Sequence, residues 1–259
     1  MNDRVSITVE DQIADVRLTR ADKMNAIDPA MFEGIGAAID SLHDRTDIRC
    51  VVLSGEGKAF CAGLDMASMQ AGGSGTGRTR NAQGSILPQH VTWGWRQLPM
   101  PVIAAVHGVA FGGGFQIMSG ADIRLCAPGS RFAIRETYWG LVPDMAGFPI
   151  WRGLVRDDVL RELVYTAREF DADEALAHGF VTRIADDPHA AAMDLARTIA
   201  AKSPHAIRGA KRLLNMAHDA HPRTMLEAET DEQVKVIGQP NMMEQVAANM
   251  AKRAAVFAD

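Results

Sequence analysis

Two hydrophobic rhythms alternate along the chain. Val5-Ser6-Ile7-Thr8-Val9 and Ile13-Ala14-Asp15-Val16-Arg17-Leu18 repeat with a period near two, which predicts two strands joined by a tight turn at Asp11-Gln12. Cys50-Val51-Val52-Leu53-Ser54 and Pro101-Val102-Ile103-Ala104-Ala105-Val106 are continuous apolar runs and read as buried strands. Helices are expected from Pro29 to His43, from Gln89 to Leu98 and after Gly112. Further strands fall at Ile123-Arg124-Leu125 and Arg131-Phe132-Ala133. This alternation predicts an α/β fold with parallel sheets and helical crossovers. Beyond Gly147 the pattern is almost wholly helical. Asp171-Ala172-Asp173-Glu174 offers a capped helix start, Gly179 a stop, and the tail from Pro222 to Phe257 reads as two or three amphipathic helices. The division expected is a core over 1–195 and a helical C-terminal region over 196–259, with no internal repeat.

Composition narrows the classes without choosing among them. A chain of 259 residues, 47% hydrophobic and 23% charged, can bury a full core. Its net charge of −5 argues against a nucleic-acid surface, which needs clustered Lys and Arg. Cys50, Cys61 and Cys126 lack metal-ligand spacing and read as reduced core thiols, pointing to a reducing, cytoplasmic location. No run approaches the roughly 18 apolar residues of a membrane span, so no membrane partner is expected. The eight histidines lack HxxxH spacing, so no metal site is expected, and no Ser sits in a GxSxG elbow. Ala71-Gly72-Gly73-Ser74-Gly75-Thr76-Gly77 follows no strand and reads as a mobile loop rather than a phosphate cradle.

Candidate chemistry lies after the two buried strands. Phe60-Cys61-Ala62-Gly63-Leu64-Asp65-Met66 follows the first, and Gly112-Gly113-Gly114-Phe115-Gln116 follows the second and opens a helix. Small residues there let the chain turn sharply and bring backbone N–H groups to one point, as an oxyanion hole requires. With Arg20-Ala21-Asp22-Lys23-Met24-Asn25-Ala26, and with Phe132-Ala133-Ile134-Arg135-Glu136 followed by Gly140-Leu141-Val142-Pro143, these segments resemble, in order, those of the crotonase superfamily, also called the enoyl-CoA hydratase/isomerase family.

That resemblance implies a crotonase-like fold and an acyl-CoA thioester substrate, whose oxygen is held by the N–H groups of Leu64 and Gly113. It implies substrate contacts from Lys23, Met24 and Ala26, from Ala62, Asp65 and Met66, and from Gln116; Trp139, three residues after Glu136, is a further candidate to face the acyl chain. Coenzyme A enters as part of the substrate, with no separate cofactor, and the C-terminal helices pack subunits into homotrimers, often paired as hexamers.

Typical hydratases of the family carry two glutamates; here the second is Glu136, and the first position is Gln116, which cannot titrate. Asp144 stands eight residues after Glu136, a spacing similar to the acid pair of the dienoyl-CoA isomerase branch, which usually has an acid at the Gln116 position too. Two acids across a planar dienolate can remove a proton at one carbon and return one at another. Asp144 also reads as the N-cap of a helix beginning near Met145, and Glu136 as a surface acid paired with Arg131 or Arg135. The expected reaction is double-bond isomerisation of an enoyl- or dienoyl-CoA. Hydration of a 2-enoyl-CoA is the alternative, and a CoA-ester-binding homologue without catalysis is the reading from another class.

Overall fold

The computed structural model describes residues 3–70, 79–82 and 84–258. The glycine-rich stretch 71–77 lies outside them. A hairpin opens the fold: β1 (Val5–Glu10) and β2 (Ile13–Leu18) pair antiparallel. Asp11 and Gln12 both hold positive φ, 49° and 65°, the geometry that matches a two-residue turn to the twist of its strands. α1 (Pro29–His43) begins where the Asp28 side chain accepts from Met31 N. Pro29 takes the first turn, where its missing N–H is harmless.

The chain continues through β3 (Cys50–Gly55), α2 (Met66–Gln70), α3 (Leu87–Gln97), β4 (Val102–Val106), β5 (Val109–Phe111), α4 (Gly113–Ser119), β6 (Ile123–Cys126) and β7 (Arg131–Ala133). Then come α5 (Gly147–Trp151), α6 (Asp157–Thr166), β8 (Phe170–Asp171), α7 (Ala172–His178), β9 (Arg183–Ile184), α8 (Pro188–Ala200), α9 (Pro204–Met216), α10 (Pro222–Val236) and α11 (Pro240–Ala251). One sheet has the order β1-β2-β3-β4-β6-β9, parallel after the hairpin; a second has the order β5-β7-β8.

Alternation along each central strand sorts its side chains into two layers. Val51, Leu53, Val102 and Ala104 join α1, α3 and α4 in the main core, whereas Cys50, Val52, Ile103 and Ala105 face α8. α8 meets them with Ala192, Ala196 and Ala200, four residues apart on one face, whose small side chains let the helix lie close to the sheet. This helix spans the 195/196 boundary, so the sheet-packed part of the chain runs on to Ala200. Phe115 of α4 sits among Phe132, Trp151, Phe170 and Phe180 at centroid distances of 5.1 to 6.1 Å, which fixes the helix carrying Gln116. α10 has no buried residue. Among the described residues no helix is long and apolar enough to cross a membrane, and no group of three or more His, Cys, Asp or Glu could hold a metal ion.

Candidate active site

The loop after β3 is clasped from both sides. Cys61 N donates to Val109 O at 3.0 Å and Phe111 N to Cys61 O at 3.1 Å. On the other side Ala62 N donates to Met24 O, Ile27 N to Gly63 O and Asp65 N to Ile27 O, all at 2.8 to 2.9 Å. This bridge between Ile27 and Leu64 is parallel, and it uses the groups flanking Leu64. The N–H of Leu64 itself therefore points away from Ile27.

Gly63 makes the turn with φ +92°, and a Cβ there would lie 2.7 Å from Phe111 O and 3.8 Å from Gly113 N. Gly112, with φ +50°, starts α4 and leaves Gly113 N in its unpaired first turn. Neither Leu64 N nor Gly113 N has a hydrogen-bond partner among the described residues. Both residues line a cavity of about 200 Å³, shared with Ala62, Met66, Glu136 and Trp139. Glu136 thus lines the same cavity as the two residues whose N–H groups have no partner among the described residues.

Glu136 follows β7 and is 6% exposed. Arg131 and Arg135 pair with Glu169 instead, so Glu136 is not a surface acid in an ion pair. Its Oε1 accepts from Gln116 Nε2 at 2.6 Å, and its Oε2 is buried with no partner. Burial pushes its carboxyl above the ordinary glutamate range; the Gln116 hydrogen bond opposes this and the nearby charge of Asp144 adds to it. Gln116 is wholly buried behind Glu136 rather than on the cavity wall.

Asp144 is exposed and borders a second hollow of about 310 Å³ with Trp93, Pro143, Gly147 and Phe148. Partial desolvation raises its carboxyl too. It caps no helix: the N-cap of α5 is Ala146, in the left-handed conformation at φ +67°, and no side chain bonds there.

The remaining expected residues divide. Ala62, Met66 and Trp139 reach the cavity, Trp139 as a 54% exposed ring at its mouth. Asp65 does not offer itself to a substrate, because Oδ2 pairs with Arg20 at 2.8 Å and Oδ1 accepts from Ala67 N and Ser68 N, holding the start of α2. The Arg20 bond keeps its carboxyl below the usual range. Lys23 and Met24 are exposed on a short 3-10 turn, and Ala26 N closes that turn onto Lys23 O; none of the three borders the cavity.

Two supporting residues were not singled out by the sequence. Arg20 joins Asp28, Asp65 and the carbonyl of Ala26, and Asn25, buried at φ +55°, donates to Glu56 O and Ala59 O. The one local signal was Asn25 itself, a residue type that tolerates the left-handed region.

The family model for enoyl-CoA hydratase/isomerase matches residues 8–259. The chain belongs to this enoyl-CoA hydratase/isomerase family. A mitochondrial Δ(3,5)-Δ(2,4)-dienoyl-CoA isomerase of Mus musculus is 32% identical over 257 residues, covering 95% of this chain and 79% of that protein. A peroxisomal dienoyl-CoA isomerase of Arabidopsis thaliana is 29% identical, covering 93% and 91%. The crystal structure of an enoyl-CoA hydratase from Bacillus anthracis superposes with a TM-score of 0.88 at 27% identity, over 98% of each chain. The fold is thus the crotonase fold, and this member is an enzyme of the hydratase/isomerase family.

Proposed function

We propose that this family member isomerises the double bonds of an enoyl- or dienoyl-CoA. In this reading the thioester oxygen accepts from Leu64 N and Gly113 N, and Glu136 and Asp144 move the protons. The observation that carries the reading is Glu136, a buried acid whose Oε2 has no partner among the described residues and which lines the same cavity as Leu64 and Gly113. The named activity of the mouse and plant relatives supports it.

With a 3,5-dienoyl thioester, Glu136 Oε2 takes a proton from C2. The electrons of that C–H bond pass into the conjugated chain and onto the thioester oxygen, where the two N–H groups stabilise the developing charge. Protonated Asp144 then delivers a proton at C6, which leaves the 2,4-dienoyl product with no change of redox state. Asp144, being exposed, regains its proton from water, and Glu136 gives up to water the proton it took from C2, which returns both carboxyls to their starting states. Raised carboxyls suit this exchange, since a weaker acid is a stronger base at C2 and a better keeper of the proton delivered at C6. Coenzyme A comes and goes with the substrate, and no other cofactor enters.

A panel of 2-enoyl, 3-enoyl and 3,5-dienoyl thioesters tests the proposal through the ultraviolet absorbance of the conjugated products. Rapid hydration of the 2-enoyl ester without isomerisation assigns the chain to the hydratases instead. Tight binding of every ester without turnover makes it a CoA-ester-binding protein.

Subunit association into homotrimers, paired as hexamers, is proposed with it. Leu214, Leu226, Val234 and Met250 stand exposed on the C-terminal helices, an apolar load that subunit packing relieves. Light-scattering mass decides among monomer, trimer and hexamer. Three unpaired buried cysteines support a reducing, cytoplasmic location.

A further inference from the structure

We propose that Gln116 is the positioning and specificity-determining residue of this site: its amide selects which oxygen of Glu136 reacts and, unlike a carboxylate there, offers a water no acceptor for its proton. The inference deepens the isomerase reading and rests on it. Gln116 Oε1 accepts from Met145 N and from Gly147 N, both at 3.0 Å. Backbone N–H groups only donate, so the amide oxygen must face them and Nε2 must face Glu136 Oε1. Both lone pairs of Oε1 are then in use. An attacking water needs an acceptor for its proton, and Gln116 has none to give.

The loop supplies the matching half. Ala146 lies between the two donors in the left-handed region at φ +67°, a conformation that alanine adopts only where its surroundings hold it. There it turns the N–H groups of Met145 and Gly147 onto one oxygen, the concave backbone arrangement that suits an anion. Here that concavity holds a neutral amide. The amide in turn anchors both the reactive carboxylate and the loop beginning at Asp144, so one side chain sets the relation between the two acids.

A glutamate at this position keeps the loop bonds but brings a second carboxylate against Glu136 Oε1, where the present contact is 2.6 Å. Two carboxylates so placed share one proton. Q116E therefore moves the rise of kcat/KM with pH to higher pH, and it raises hydration of a 2-enoyl-CoA relative to isomerisation by about 10-fold or more. Q116M fills the volume but gives up all three hydrogen bonds. Its kcat falls about 10- to 100-fold while KM holds, because the side chain does not reach the cavity.

The Glu136 carboxyl can also be followed without substrate. Carbon-13 NMR of glutamate-labelled protein, with E136Q identifying the resonance, reads its titration in wild type, Q116E and Q116M. Upward shifts in both variants are expected. Unchanged titration in both overturns the proposal, as does a Q116M variant whose KM rises at constant kcat, which makes Gln116 a substrate contact. A wild-type enzyme that hydrates 2-enoyl-CoA rapidly overturns the exclusion of water. Shifted titrations in a protein that turns over no dienoyl or enoyl ester reject the isomerase reading and retain the positioning role.

Discussion

Lys211 Nζ lies 2.8 Å from Asp122 Oδ2 and donates to the carbonyls of Met100 and Trp95, so one ammonium ties α9 to the end of α3 and to the entrance of β6. The same Asp122 oxygen accepts from Val102 N at 2.8 Å, at the start of β4. Lys211 is 5% exposed, and burial lowers its pKa despite the attraction of Asp122. Removing Lys211 leaves the half-buried Asp122 carboxylate without its cation and two carbonyls without their donor. Lys211→Met is expected to lose about 1–3 kcal/mol of stability. Urea unfolding checks this, and Lys211→Met with Asp122→Leu should regain part of the loss. A single variant as stable as wild type disproves the fastening role.

Glu136 links stability to pH in the opposite sense from a surface acid. Its folded pKa lies above the ordinary glutamate value of about 4.3, so between those two values the folded state binds more protons than the unfolded state. Stability from this group is greatest at low pH and is lost as pH rises through that window. Glu136→Gln cannot titrate and keeps the partner of Gln116 Nε2. It is expected to melt higher than wild type at pH 8, with the gap closing towards pH 4, while isomerisation falls about 100-fold or more. Calorimetry across that range, beside turnover, is the check. A gap that favours wild type and ignores pH would falsify the assignment of Glu136 as a buried, raised carboxyl.

The glycines of α4 separate folding from chemistry. A Cβ on Gly114 would stand 2.4 Å from Cys61 O, a carbonyl already held by Phe111 N, so nothing there can yield. A Cβ on Gly113 would meet Ile27 Cδ1 and Met145 Sδ, both at 2.9 Å, and those side-chain ends can move. Gly114→Ala should therefore lower the melting temperature sharply. Gly113→Val should stay folded and lose about 3 kcal/mol of transition-state stabilisation. Equal melting temperatures for wild type and Gly114→Ala contradict the close packing of the two loops.

Much of this was legible in the sequence because the signals were local. Pro29 at the start of its helix, Asp171 with Gly179, and the apolar runs at Cys50 and Pro101 each mark an element through neighbouring residues. β5, β8 and β9 have only three, two and two residues, too few to show a period. The division at residue 195 fell inside α8, since an amphipathic helix does not announce which sheet it covers. At the site, the order of motifs pointed to Leu64, Gly113 and Glu136. The uses of Asp65 and Gln116 depend on Arg20 and on the Ala146 turn, partners far away along the chain. A carboxylate or amide reads alike whether it meets a substrate or a neighbouring loop.

Asp144 offers the sharpest separation of roles, because it caps nothing and its side chain is exposed. Asp144→Asn should leave the stability within about 0.5 kcal/mol of wild type, as surface changes do. If Glu136 removes the C2 proton and Asp144 returns one at C6, the variant still forms the dienolate but cannot complete the transfer. Isomerisation of a 3,5-dienoyl-CoA should then fall about 100-fold or more. In deuterium oxide the recovered 3,5-dienoyl ester should nevertheless carry deuterium at C2, because Glu136 exchanges its proton with solvent before giving one back. Mass spectrometry of the ester and absorbance of the 2,4-dienoyl product measure the two steps on one sample. Wild-type isomerisation by Asp144→Asn places the second proton transfer on another group. Loss of both exchange and isomerisation at unchanged stability shows instead that Asp144 acts in the first step.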